Sequence, residues 1–257
     1  MNSAALAGRR VVVTRPAGQA AHLAALIRAA GGEPLLFPAL EITAAGDTPE
    51  LHALIEHLET FELAIFISAN AVNKALALVK QRRAWPPGLP VATVGRGSER
   101  ELERHGFTQV LAPAERFDSE GLLALPELVQ VAGKRVVIFR GEGGRELLGE
   151  TLAARGALVE YAECYRRSRP DADPAPLLAR CARKEIHAIT VTSSEGLANL
   201  REILGEAGRS CLQGTPLFAP HERIAAAARA LGVRTVVPTG PGDEGLVAGL
   251  AAFFAKV

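Results

Sequence analysis

Residues 136–156 read VVIFRGEGGRELLGETLAARG. A β-branched run breaks into glycines and charges, then into a stretch of helical period, so the segment reads as strand, turn and helix. Residues 11–31, VVVTRPAGQAAHLAALIRAAG, make nearly the same moves. At an offset of 125 positions, Arg10, Val11, Val12, Arg15, Gly18, Leu23 and Gly31 fall on Arg135, Val136, Val137, Arg140, Gly143, Leu148 and Gly156, all identical. Three more blocks repeat in the same order. FISANAV (66–72) falls on VTSSEGL (191–197), GFTQVLAP (106–113) meets GVRTVVPT (232–239), and DSEGLLA (118–124) meets DEGLVA (243–248). The chain therefore reads as an internal duplication, one repeat covering 9–125 and the other 134–250.

Within each repeat, strand and helix signals alternate. Short β-branched runs at 11–14, 63–67, 91–94 and 109–111 are separated by Ala/Leu-rich stretches of helical period at 17–30, 70–81, 97–105 and 119–125. The second repeat has its strands at 136–139, 187–191, 216–219 and 234–237, and weaker ones fit at 34–37 and 157–161. Strands that read as unbroken apolar runs suit parallel sheets covered on both faces. The expected fold class is α/β, with two doubly wound parallel-sheet lobes of about five strands each.

Composition narrows the function. The chain has 257 residues, is 48% hydrophobic and carries a formal net charge of +1. That balance favours neither nucleic acid nor an anionic membrane surface, and no basic tract interleaved with aromatics is present. No apolar run reaches membrane-spanning length, and MNSAALAGRR is too short and polar for a signal peptide. Cys164, Cys181 and Cys211 are far apart and form no C-x-x-C pair, which reads as reduced thiols in a cytoplasmic protein. His52 and His57 are five apart and share no helical face, so a metal site is not expected.

In open parallel sheets, ligands sit beyond the carboxyl ends of the strands. FRGEGGRE follows a strand and opens a helix, but Glu146 stands where G-x-G-x-x-G needs its third glycine, and no P-loop is present. What remains is a general anion receiver. Backbone N–H groups around Gly141, Glu142, Gly143 and Gly144 would face a ligand at a helix N-terminus, with Arg140 and Arg145 adding bidentate carboxylate contacts. Arg15 holds the matching place in the other repeat. The competing reading is a tight turn with solvated arginines. Ser68, Asn70, Ser98, Ser193 and Ser194 stand at strand ends before helices, where they read either as N-caps or as a hydroxyl lining.

No Ser–His–Asp set and no cofactor fingerprint is legible. The chain has two tyrosines, both in VEYAECYRR (159–167). Tyr161 reads as core. Tyr165, next to Arg166 and Arg167, reads as an aromatic at a domain junction.

VVVTRPAGQ, FISANAV, FRGEGGREL, AECYRR and the closing GDEGLVAGL together resemble the uroporphyrinogen-III synthase family, over residues 9–250. The resemblance implies two α/β lobes with exchanged N-terminal segments and a cleft between them, one lobe from 1–39 with 168–257 and the other from 40–167. It implies cyclisation of linear hydroxymethylbilane with loss of water and inversion of ring D, in porphyrin and haem biosynthesis. It also implies no cofactor, no metal, and a cytoplasmic monomer that receives its substrate from hydroxymethylbilane synthase. Tyr165 matches the family's cleft tyrosine and becomes the expected proton donor. Ser98 matches a hydroxyl position where threonine is common, and His221 stands where the family often has serine. The rival is a non-catalytic bilobed module that binds an anionic metabolite. It shares every feature except the weight of FRGEGGREL together with Tyr165.

Overall fold

The computed structural model describes residues 4–46, 48–144 and 146–256. Its elements run β1 (Arg10–Val13), α1 (Ala21–Ala29), β2 (Glu33–Leu36), β3 (Glu41–Ala44), α2 (Pro49–Glu56), β4 (Leu63–Phe66), α3 (Ala69–Arg82), β5 (Val91–Thr93), α4 (Arg96–Arg104), β6 (Val110–Leu111), α5 (Ser119–Leu123) and α6 (Pro126–Val129). They continue with β7 (Arg135–Gly141), α7 (Leu147–Ala154), β8 (Leu158–Ser168), α8 (Ala175–Ala182), β9 (Ala188–Thr190), α9 (Ser194–Leu204), α10 (Arg209–Gly214), β10 (Leu217–Ala219), α11 (Glu222–Ala230), β11 (Val236–Pro238) and α12 (Gly242–Phe254).

The strands form two sheets. One has five strands in the order β11-β10-β9-β1-β2, and the other has six in the order β3-β8-β7-β4-β5-β6. In the five-stranded sheet β1 pairs in parallel with both β2 and β9. The N-terminal β1–α1–β2 segment thus completes a sheet whose other strands come from the C-terminal third, and β7–α7–β8 stands in the same relation to β4, β5 and β6. By internal contacts the chain divides into a first unit, Met1–Glu41 with Ser168–Val257, and a second, Ile42–Arg167.

Each apolar run feeds two cores, because successive strand residues point to opposite faces. In the first unit, Val12, Ile189 and Leu217 pack with Leu197, Leu200 and Ile224 of α9 and α11. Their neighbours Val11, Val13 and Phe218 pack with Leu23, Ile27, Leu246 and Leu250 of α1 and α12. The second unit repeats the arrangement. Phe66, Val137 and Phe139 join α2 and α3, whereas Ile65, Val136 and Ile138 join Leu122, Leu148 and Leu152 of α5 and α7. Covering both faces is what permits strands such as LAIF (63–66), buried at every position, to carry no polar alternation.

Four details differ from the sequence reading. β3 is an added edge strand, and β8 runs on through the charged AECYRRS to Ser168. Tyr161 is 38% exposed rather than core. Its ring lies over the Arg140 guanidinium, and its hydroxyl occupies the space a side chain at Gly149 would need. The cysteines are not all thiols. Cys181 of α8 and Cys211 of α10 form a disulfide with a Cα–Cα separation of 5.7 Å, because those two helices pack together. Cys164 stays a buried thiol whose pKa burial pushes up to about 12. Among the described residues no helix is long and apolar enough to cross a membrane.

Candidate functional site

In the second unit the groups of interest gather where β4, β7 and β8 end. Ser68 has extended backbone and N-caps α3, its Oγ accepting from the Ala71 N–H at 3.1 Å. β7 and β8 run in register from Arg135 opposite Leu158 to Arg140 opposite Glu163, then slip so that Gly141 faces Tyr165. The slip is what seats the Tyr165 ring. A Cβ at Gly141 would lie 2.6 Å from ring carbons, so only glycine lets the aromatic come this close. The Tyr165 carbonyl accepts from the Glu142 N–H at 2.8 Å. Its hydroxyl lies 3.1 Å from Ser68 Oγ. The side chain is 4% exposed.

The glycine loop differs from the expected anion cradle. Arg140 is 3% exposed, and its guanidinium turns back into its own loop. Nε donates to the carbonyls of Gly143 at 3.1 Å and Gly141 at 3.3 Å, and Nη1 donates to both Glu146 carboxylate oxygens at 3.1 and 3.3 Å. Its Cζ lies 4.7 Å from the centre of the Tyr161 ring. This arginine shapes the turn, with its Nε and Nη1 engaged inside the loop. The Gly143 N–H is also taken, by Glu163 at 3.3 Å, and Glu142 pairs with Arg166. Gly143 and Gly144 have φ of +68° and +119°, conformations that glycine adopts without strain. Arg145 lies outside the described residues.

The same cluster sets the local electrostatics. Hydrogen bonds from Tyr161 and Arg140 hold the Glu146 carboxyl below its ordinary pKa. Partial burial, with Glu146 alongside, pushes the Tyr161 phenol up.

Ser98 corrects a boundary. α4 begins at Arg96 with Gly95 as its N-cap, so Ser98 lies inside the first turn and is buried. Asn70 and Ser194 likewise fall within the first turns of α3 and α9.

The first unit gathers a separate set at its own strand ends. Thr14 Oγ1 donates to the Thr190 carbonyl at 2.8 Å, and Thr190 Oγ1 donates to the Val12 carbonyl at 3.0 Å, which clamps β1 to β9. Ser193 caps α9 by accepting from the Gly196 N–H at 2.9 Å. Arg15 is ion-paired with Asp243 in the first turn of α12, a carboxylate that is 7% exposed and also lies 3.0 Å from His22 Nδ1. The Nε of Arg15 and the Oγ of Ser194 are buried without a hydrogen-bond partner among the described residues. His221 is exposed at the N-cap of α11 and makes no cap bond there.

The structure therefore brings Ser68, Gly141, Glu142 and Tyr165 together, and separately places Arg15 with Asp243 and His22. Asp243, His22 and Glu146 were missed in the sequence. The aligned DSEGLLA and DEGLVA blocks did mark Asp243, as the partner of Asp118. Among the described residues no group of three His, Cys, Asp or Glu side chains is placed to hold a metal ion.

The family model described as uroporphyrinogen-III synthase HemD matches residues 21–248. Uroporphyrinogen-III synthase of Escherichia coli K12 is 36% identical over 224 residues, which cover 86% of this chain and 91% of that protein. The Synechococcus elongatus enzyme of the same name is 31% identical over 203 residues, covering 77% of this chain and 76% of its own. Among solved structures, a mutant uroporphyrinogen III synthase from the extremely thermophilic bacterium Thermus thermophilus superposes with a TM-score of 0.63 at 20% identity, covering 97% of this chain and 100% of that one. The Helicobacter pylori 26695 enzyme superposes with a TM-score of 0.56 at 14% identity, over 96% and 98%. These two likenesses carry the fold, and the sequence matches carry the relationship: the chain belongs to the uroporphyrinogen-III synthase family.

Proposed function

We propose that this chain is a lyase that converts hydroxymethylbilane to uroporphyrinogen III, closing the macrocycle with loss of water and inversion of ring D. Family membership supports the reaction, and the placement of Tyr165 supports the assignment of its proton donor. The substrate supplies most of the chemistry. A pyrrole nitrogen pushes out the hydroxyl as the C–O bond breaks, and the protein's task is to hold four pyrroles in a closing geometry and protonate the leaving oxygen. A phenol is protonated at neutral pH and serves as a donor rather than a base. Tyr165 fills that role in this reading, with its ring fixed against Gly141 and its hydroxyl at the N-terminus of α3.

In the same reading Asn70, Ser98 and the Gly144 N–H meet substrate carboxylates, as do Arg15, Ser193 and Ser194, whereas the Glu142 and Gly143 N–H groups are engaged by Tyr165 and Glu163 and the Ser68 hydroxyl is left to Tyr165. Arg145 keeps the same proposed role, which rests on its sequence alone. Arg140 acts by shaping the loop, because its Nε and Nη1 donors are already engaged within it. In the same reading the enzyme is a cytoplasmic monomer, and hydroxymethylbilane synthase hands it the bilane directly, which limits spontaneous closure to isomer I.

The test is to incubate the folded protein with freshly generated hydroxymethylbilane and identify the product. Isomer III is expected. Isomer I alone, from well-folded protein, would favour the binding-module reading and remove the enzymatic one.

A further inference from the structure

Ser68 Oγ sits between two partners. It accepts from the Ala71 N–H at 3.1 Å as the cap of α3, and it lies 3.1 Å from the Tyr165 hydroxyl. A serine hydroxyl has one hydrogen and two lone pairs. The cap bond occupies a lone pair and leaves the hydrogen for Tyr165. A hydroxyl that already accepts from an N–H is a stronger donor, since linked hydrogen bonds polarise one another. Donation in the other direction would tie up the phenolic hydrogen inside the protein.

We infer that Ser68 is the positioning residue for proton delivery, donating to Tyr165 Oη so that the phenolic hydrogen stays free for the leaving hydroxyl of the substrate. The inference rests on the functional reading above. In the step it describes, the Tyr165 O–H bond breaks and its proton joins the departing oxygen. The C–O bond electrons leave with that oxygen as water, and the substrate cation remains. The negative charge left on Tyr165 Oη then receives a charge-assisted hydrogen bond from Ser68. The chain Ala71 N–H, Ser68 O–H, Tyr165 Oη also connects that charge to the positive end of α3, a helix of 14 residues. The proton that the pyrrole loses on ring closure restores the phenol.

This role is separable from capping. Ser68→Ala loses both the cap and the donor, and Ser68→Thr retains both. Ser68→Ala should lower kcat about tenfold, as expected for a lost hydrogen bond to a charged group, with KM changed less than twofold. Ser68→Thr should recover most of the rate. In a Tyr165→Phe background, Ser68→Ala should cost no further rate, whereas a purely structural cap would slow both backgrounds alike.

A second readout does not depend on activity. The chain has two tyrosines, so labelling the ring carbon that bears the hydroxyl with carbon-13 gives two NMR signals. The signal absent from Tyr165→Phe belongs to Tyr165. It should shift in Ser68→Ala, return in Ser68→Thr, and leave the Tyr161 signal in place. An unmoved Tyr165 signal, an effect of Ser68→Ala on KM alone, or a moved signal beside an unchanged kcat each overturns the inference while leaving the functional reading intact. A parent protein that yields only isomer I overturns both.

Discussion

The turns after β1 and β7 occupy equivalent places in the repeat, with Arg15 matching Arg140, and the two arginines are held differently. Arg15 reaches Asp243, 228 residues away in α12, and is partly open to solvent. Arg140 is enclosed by its own loop, with Glu146 six residues on and Tyr161 beneath it. At the next position the first turn has Pro16 and the second has Gly141, because Tyr165 needs that space. The duplication kept the cation and its place after the strand. The two copies differ in the counter-charge, and only the second has a tyrosine against its backbone. The second unit's turn is a shaped platform for Tyr165, and the first unit's turn is the cover of a buried carboxylate.

The strongest test removes each arginine. Arg15→Ala and Arg140→Ala should each cost about 2–4 kcal/mol of stability in thermal or urea unfolding. The repair separates them. Arg15→Ala strands Asp243, which is 7% exposed, so adding Asp243→Asn should recover stability. Glu146 has a half-exposed side chain and is rehydrated when Arg140 is lost, so adding Glu146→Gln to Arg140→Ala should recover none. If both second substitutions rescue equally, the two turns are alike and the comparison fails.

A smaller effect, of opposite sign in the two copies, is expected at the aligned glycines. Gly143 has φ of +68°, so Gly143→Ala places a Cβ in the left-handed region and should cost about 1–2 kcal/mol. A Cβ added at Gly18 would meet no atom within 4 Å, and its φ is ordinary, so Gly18→Ala should stabilise by about 0.4–1 kcal/mol through the unfolded chain. Melting curves of the two variants decide it, and loss of stability in both would mean that the first turn is as constrained as the second.

The duplication and both sheets were legible because a parallel strand buried on two faces leaves an apolar run, as RVVV and RVVIF do. β3 was not, since EITA (41–44) is largely exposed and has no such run. The far half of β8 was hidden because Glu163, Arg166 and Arg167 interrupt its apolar run. Ser68 and Ser193 were readable as caps, because capping is local chemistry. Three further contacts depend on tertiary packing, which no local pattern encodes. They are the Arg15–Asp243 pair, the disulfide across 30 residues, and the register slip that sets Tyr165 against Gly141. The inward turn of Arg140 is the most instructive miss. The spacing of arginine and glycines suggested an open anion site, but the guanidinium turns back onto the loop carbonyls and Glu146.

The smallest expected effect lies in the pH dependence of stability, where the two turns also part. Glu146 has no counterpart in the first turn, since Ala21 stands at the aligned position. Hydrogen bonds from Tyr161 and then Arg140 lower the folded-state pKa of Glu146. A carboxyl lowered on folding adds stability above its unfolded pKa, and that stability is lost as pH falls through the folded value. Tyr161 is raised on folding, first by burial and then by Glu146. Its contribution is complete below the ordinary tyrosine range and is lost as pH rises through the folded value. One cluster therefore weakens at both ends of the pH scale. Melting temperature measured from pH 5 to about pH 3, across and below the usual glutamate range near ~4.3, should fall less steeply in Glu146→Gln than in the parent. The alkaline decline should soften in Tyr161→Phe. Asp243→Asn, made in the other turn, should leave the difference between parent and Glu146→Gln unchanged, because the two clusters share no residue. Should Asp243→Asn abolish that difference, the two turns would have to be treated as one coupled electrostatic unit.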